Sequence, residues 1–264
     1  MGFTYAGNLG GAGAPVIRRF QTSTDTLYNG VLVQTAMIGA GGGHVQLADP
    51  AAELGDTMDL GPFGFVTGVV QKGDHTYTAA VSGTAQYGDT RTAITSLADV
   101  LANGGPSEVD VCYMIPMVTL VKAPLYNAAW GTALTECVET TGDATGLAVT
   151  HTETVTDIAD PYATIYCRSG ANRGLYRVIT TVGANAQAMT IAFPYAIAIG
   201  DTFVIASMVL GPMLFNIPAT ADCIDGNHLL GNAFPGFCHE LNLEESGKEY
   251  CVFTLAVAQH RYTS

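Results

Sequence analysis

Cys223, His228, Cys238, His239, Cys251 and His260 gather in the C-terminal part of the sequence. Thiolate with imidazole is the ligand chemistry of zinc, but structural zinc sites draw on close pairs such as Cys-x-x-Cys. The one close pair here is Cys238-His239, whose side chains point to opposite faces of a strand. No metal site is expected from this set. Asp222-Cys223-Ile224-Asp225-Gly226-Asn227 offers oxygen ligands and a turn glycine, yet lacks the spacing and terminal glutamate of a calcium loop. It reads as a turn.

Carboxylate pairs occur at Glu244-Glu245 and at Asp157 with Asp160. A general acid needs burial or a charged partner to shift its pKa, and both pairs lie in polar, loop-like sequence. Trp130, in Asn127-Ala128-Ala129-Trp130-Gly131, is the single tryptophan. It could stack on a sugar ring, but its apolar setting favours a core or an interface. No Gly-x-Ser-x-Gly elbow is present. A phosphate-binding Gly-x-x-x-x-Gly-Lys-Ser/Thr loop is also missing, as is a dinucleotide fingerprint between strand and helix. No catalytic group, cofactor site or metal site is therefore expected, and neither is an enzymatic activity.

Charge narrows the partners. The net charge is −13, with only 10 Lys and Arg among 264 residues. Nucleic-acid binding needs cations to displace phosphate counterions, so it is not expected. Charged residues make up 12%, against roughly 25% in typical soluble domains. Either Thr, Ser, Asn and Gly cover the surface, or much of it is buried between subunits, where charge is depleted. Met1-Gly2-Phe3-Thr4-Tyr5 resembles no signal peptide, and no apolar run approaches the length of a membrane span. A product made in a cytoplasm is expected, with its six cysteines as free buried thiols.

The elements that carry these residues read mainly as β. Residues 1–25 are glycine-rich, with Phe3, Tyr5 and Leu9 as apolar anchors. They are expected to form an extended N-terminal arm, either frayed or ordered against a neighbouring subunit. Strand patterns follow at 30–35, 63–70, 75–81 and 108–121. One helix is expected from Thr92 to Leu101, stopped by Asn103-Gly104-Gly105-Pro106. Five or six short strands between 134 and 208 suggest an inserted small barrel or sandwich. The main β domain would then comprise 26–133 and 209–264. Within it, 213–217 and 250–258 read as strands and 219–247 as loop.

Two stretches carry a resemblance. Gly30-Val31-Leu32-Val33 through Gly64-Phe65-Val66-Thr67-Gly68-Val69-Val70 looks like small β modules of tailed-bacteriophage virion proteins. Tyr176-Arg177-Val178-Ile179, with Phe193-Pro194-Tyr195 through Asp201-Thr202-Phe203, looks like phage accessory β domains. Together the chain resembles capsid decoration (cement) proteins. The resemblance implies β-barrel or β-sandwich modules, symmetric homo-oligomers such as trimers, and binding to a major capsid protein on the virion surface. No functional residue carries over from it. Phe3, Tyr5, Leu9 and Trp130 are the residues expected to make contacts. A tail-tube or tail-fibre component is the second structural reading, and a carbohydrate-binding or glycosidase module is a third.

Overall fold

The structure is a computed structural model that describes residues 2–11, 13–21, 27–35, 45–48, 63–70, 77–78, 90–91, 108–128, 130–154, 163–226 and 234–256. The fold is mainly β, with sheets that curl like half-barrels. No helix occurs among the described residues. The expected helix at 92–101 and the Gly39–Gly43 loop lie outside them.

Strands are numbered along the chain. One sheet joins β1 (Thr4–Asn8), β9 (Thr119–Tyr126), β19 (Tyr250–Leu255), β18 (Phe234–Asn242) and β16 (Gly211–Phe215) in that order, and β17 (Ile224–Asp225) pairs in parallel with β9. A second sheet runs β2 (Ile17–Gln21), β8 (Glu108–Tyr113), β5 (Gly64–Val70), β3 (Leu32–Thr35) and β4 (Val45–Leu47). Two short strands, β6 (Tyr77–Thr78) and β7 (Thr90–Arg91), pair with each other. The third sheet comes wholly from residues 136–206. Its order is β10 (Glu136–Val138), β15 (Thr202–Ala206), β12 (Thr164–Cys167), β13 (Tyr176–Val182), β14 (Ala186–Met189) and β11 (Ala148–Thr150).

The apolar runs that read as strands are runs because both faces of the second sheet are buried. Successive side chains of a strand point to opposite faces. Leu32, Phe65 and Cys112 enter the core shared with the first sheet, while their neighbours Val33, Val66 and Val111 enter a second core with Leu27 and Tyr28. Residues 64–70 form one strand, with a bulge between Val66 and Gly68. On β15 the same alternation divides Val204 and Ala206, in the main core, from Phe203 and Ile205, inside the third sheet.

Two elements differ from the sequence reading. The 219–247 stretch, expected as loop, contains β18. Phe234, Gly236 and Cys238 alternate inward along it, and Pro235, which has no N–H, still serves the sheet by accepting from the Ala256 N–H at 3.1 Å. Residues 1–25, expected as an arm, contribute β1 and β2, which pair antiparallel with β9 and β8 of the same chain. Phe3 is a core residue, 1% exposed and edge-on to Phe253 with centroids 6.3 Å apart. It therefore has no surface to offer a neighbour. Its position is fixed by a backbone crossing: Phe3 N–H donates to the Gly30 carbonyl at 2.8 Å. A Cβ on Gly30, whose φ is +87°, would lie 2.7 Å from the Gly2 Cα.

Phe3→Ala is therefore expected to lower the unfolding free energy by about 3–5 kcal/mol, measured by chemical denaturation. A variant that keeps its stability and changes only its oligomeric state would contradict the placement of Phe3 in the core.

Candidate functional site

Between β14 and β15 the chain runs from 190 to 200 without forming a strand. Every second odd-numbered residue there turns inward. Phe193 and Ile197 are buried, and Phe193 packs against Phe203 with ring centroids 5.9 Å apart. The intervening Ile191, Tyr195 and Ile199 are 71%, 60% and 70% exposed. The loop contains no charged residue.

This loop is held at many points. Phe193 N–H donates to the Gly146 carbonyl at 2.8 Å, and Asp143 and Ile197 exchange backbone bonds at 2.9 and 2.8 Å. Asn172, fully buried, brackets Tyr195: its Nδ2 donates to the Tyr195 carbonyl at 2.9 Å, and its Oδ1 accepts from the Tyr195 N–H at 3.1 Å. Arg177 Nε donates to the Ala192 carbonyl at 2.9 Å, and its guanidinium lies 5.0 Å from the Phe193 ring centroid. Asp201 Oδ2 accepts from the Ala198 N–H at 2.9 Å. A Cβ on Gly146 would come within 2.7 Å of the Phe193 carbonyl oxygen, and that residue has φ +71°. Only glycine lets the 143–148 turn approach the loop so closely.

Asp143 organises that turn. Its carboxylate accepts from the Thr145 N–H and hydroxyl at 2.8 and 2.7 Å, the Leu147 N–H at 2.8 Å and the Ala148 N–H at 2.7 Å. Burial alone would raise its pKa. The Thr145, Ala148 and Leu147 hydrogen bonds outweigh burial and bring the pKa down to about 2. On β13 the outward face adds Tyr176 and Val178, 46% and 42% exposed.

The residues picked from the sequence are scattered. Tyr5 is half-buried against the main core and donates its hydroxyl to the Gly13 carbonyl at 2.7 Å. Leu9 is 39% exposed. Trp130 is half-buried, its ring 4.9 Å from that of Tyr126. An open groove beside β1 is lined by Phe3, Tyr5, Asn29, Phe65 and Thr67 among others, with no carboxylate, amine, imidazole or thiol among the described residues. Among the described residues, Cys223, Cys238, His239 and Cys251 are not part of any cluster of three or more potential metal ligands. Cys238 and Cys251 touch one another across β18 and β19, while His239 sits on Phe237 and against the Thr254 hydroxyl. His228 and His260 lie outside the described residues. All six cysteines are buried and free of disulfides.

A different cluster does form. The ligand atoms of Cys137, His151 and Glu153 lie within 4.8 Å of one another. Cys137 is on β10 and His151 follows β11, the two edge strands of the third sheet. The edges meet there. Thr140 N–H donates to the Thr150 carbonyl at 2.8 Å, and the buried Glu139 carboxylate accepts from the Thr150, Thr141 and Gly142 N–H groups at 2.8, 2.9 and 2.9 Å. Burial, with the carboxylates of Glu153 and Glu136, pushes the Cys137 thiol up to about 12. Burial also opposes ionisation of Glu153. Hydrogen bonds from its own N–H, the Thr152 hydroxyl and the Val138 N–H, with His151 alongside, nevertheless hold it below the usual glutamate value. The signal in the sequence was the close His151-x-Glu153 pair, with Cys137 upstream.

No family model, curated protein or solved structure matches this chain. What the structure defines is a class: a mainly β protein with half-barrel sheets and an uncharged, apolar loop hydrogen-bonded at many points.

Asp143→Asn is expected to lower stability at neutral pH by about 1 kcal/mol, allowing for solvent screening. A carboxyl with a depressed folded pKa stabilises above its unfolded value near 3.8, and that contribution is lost as pH falls through about 2. The variant should therefore lose part of the decline in stability between those two pH values. Thermal melts across that window check this.

Proposed function

We propose that this chain is a non-enzymatic structural protein that works by assembly, packing against copies of itself through the 190–200 loop. One observation carries the reading: Ile191, Tyr195 and Ile199 stand exposed on a loop whose backbone is bonded at many points. Ordering a loop on binding costs free energy, and a surface already fixed in place avoids that cost. The absence of charge along the loop means that two copies of a protein with net charge −13 would not oppose like charges there.

The finer reading is a decoration protein that stabilises a phage capsid, on the virion surface after synthesis in the host cytoplasm. Its partners are the major capsid protein and its own copies. This rests on the resemblance of residues 30–70 and 176–203 to phage virion β modules. The acidic surface supports an outward-facing position, since packaged nucleic acid would repel it. A tail-tube or tail-fibre component is the alternative within the same class. The carbohydrate reading has less support, because Tyr126 already covers part of Trp130.

Light scattering on the purified protein should give an oligomer. Ile191→Asp combined with Ile199→Asp should give a monomer with an unchanged melting temperature. A monomeric parent protein, or an oligomer indifferent to both changes, would rule out assembly through this loop. Negative-stain images would then separate closed oligomers from stacked tube-like rings.

A further inference from the structure

We infer that the seam between β10 and β11 binds a zinc-class divalent transition-metal ion through Cys137 Sγ, His151 Nδ1 and Glu153 Oε2, pinning the two edges of the third sheet together. The inference is independent of the assembly reading.

The donor set is the first argument. Thiolate and imidazole select zinc, cobalt or copper over calcium and magnesium, which take oxygen ligands. Geometry is the second. Zinc–ligand bonds of about 2.0–2.3 Å at tetrahedral angles place ligand atoms about 3.3–3.6 Å apart. His151 Nδ1 and Glu153 Oε2 stand 3.7 Å apart, too far for a hydrogen bond and close to that spacing. With one ligand atom from each of the three residues within 4.8 Å of the others, closing the remaining gap takes side-chain shifts of about 1 Å.

Orphaned polar atoms supply an independent third argument. His151 Nδ1, on a side chain with no exposed surface, makes no hydrogen bond, and neither does Glu153 Oε2. Buried polar atoms are nearly always satisfied, and a cation between these two would satisfy both. The Glu153 side chain, 29% exposed, marks the solvent side, where water would complete the coordination.

Gln187 is the second partner of the imidazole. Its Nε2 lies 3.3 Å from His151 Nε2 and donates to the Gly183 carbonyl at 2.9 Å, while its Oε1 makes no hydrogen bond. An ion on Nδ1 leaves the imidazole proton on Nε2. Gln187 must then turn its amide so that Oε1 accepts that proton, giving up the bond to Gly183. Metal-bound histidines are commonly oriented by such an acceptor.

The test uses the full-length protein, stripped with a chelator and titrated with Co²⁺, then with Zn²⁺. The expected result is one equivalent of Co²⁺ with thiolate-to-cobalt charge transfer in the near ultraviolet, displaced by Zn²⁺, and a higher melting temperature with either ion. Cys137→Ala should abolish the charge-transfer band, and Glu153→Gln should weaken binding at least tenfold. Cys167→Ala, a buried thiol outside the cluster, should leave binding unchanged. If Cys137→Ala fails to fold, His151→Gln and Glu153→Gln carry the same reading. A parent protein with no charge-transfer band and no metal-dependent melting would overturn the site. So would a band that survives loss of Cys137.

Discussion

The strand β15 is the constraint on which the rest depends. It is one wall shared by two cores, and strand geometry allows no other arrangement of its side chains. Phe203 and Ile205 face the curled third sheet, and Val204 and Ala206 face the main core. A slip of one residue would exchange the two sets. Arg168, just beyond β12, reinforces the junction. Its guanidinium pairs with the fully buried Glu249 carboxylate and with Glu136, and its Nε donates to the Leu243 carbonyl at 2.9 Å. Losing Arg168 would leave Glu249 buried and unpaired, which typically costs about 3–5 kcal/mol.

The third sheet is thereby fixed to the body of the protein by its β12–β15 side. Its remaining features sit elsewhere on it: the seam of β10 and β11, and the 190–200 loop anchored through Phe193 and Ile197. Asp143, Asn172, Arg177 and Asp201 all hydrogen-bond to loop backbone or to the turn beneath it. Short polar side chains and glycines thus do in this loop what a ladder does in a strand. The chain has formed a surface bonded at many points from a sequence with no secondary-structure repeat.

The sheets were legible because alternation and β-branched runs report burial directly. The strands at 30–35, 63–70 and 250–258 were read from such runs, and β3, β5 and β19 fall within them. β18 was not legible because Pro235 and Gly236 punctuate it, although Phe234, Gly236 and Cys238 keep the period of two. Phe3 was misread because its burial depends on β9 and β19, more than a hundred residues away, and on the Gly2–Gly30 crossing. The Cys137, His151 and Glu153 cluster was hidden for the same reason. Its members join only when the two edges of a sheet meet, and no local spacing encodes that closure. Residues 190–200 form an uncharged, largely apolar stretch. Which of its apolar residues turn outward is decided by Asn172 and Gly146, both distant in sequence.

The central claim is that a rigid β scaffold presents the 190–200 loop to another copy of the chain. Amide hydrogen exchange followed by mass spectrometry, over a series of protein concentrations, tests it most directly. The account predicts that protection of peptides covering 190–200 and the outer face of β13 rises with concentration, while peptides from β12 and β15 stay equally protected throughout. Concentration-dependent protection confined to other segments, with the loop unchanged, would contradict it.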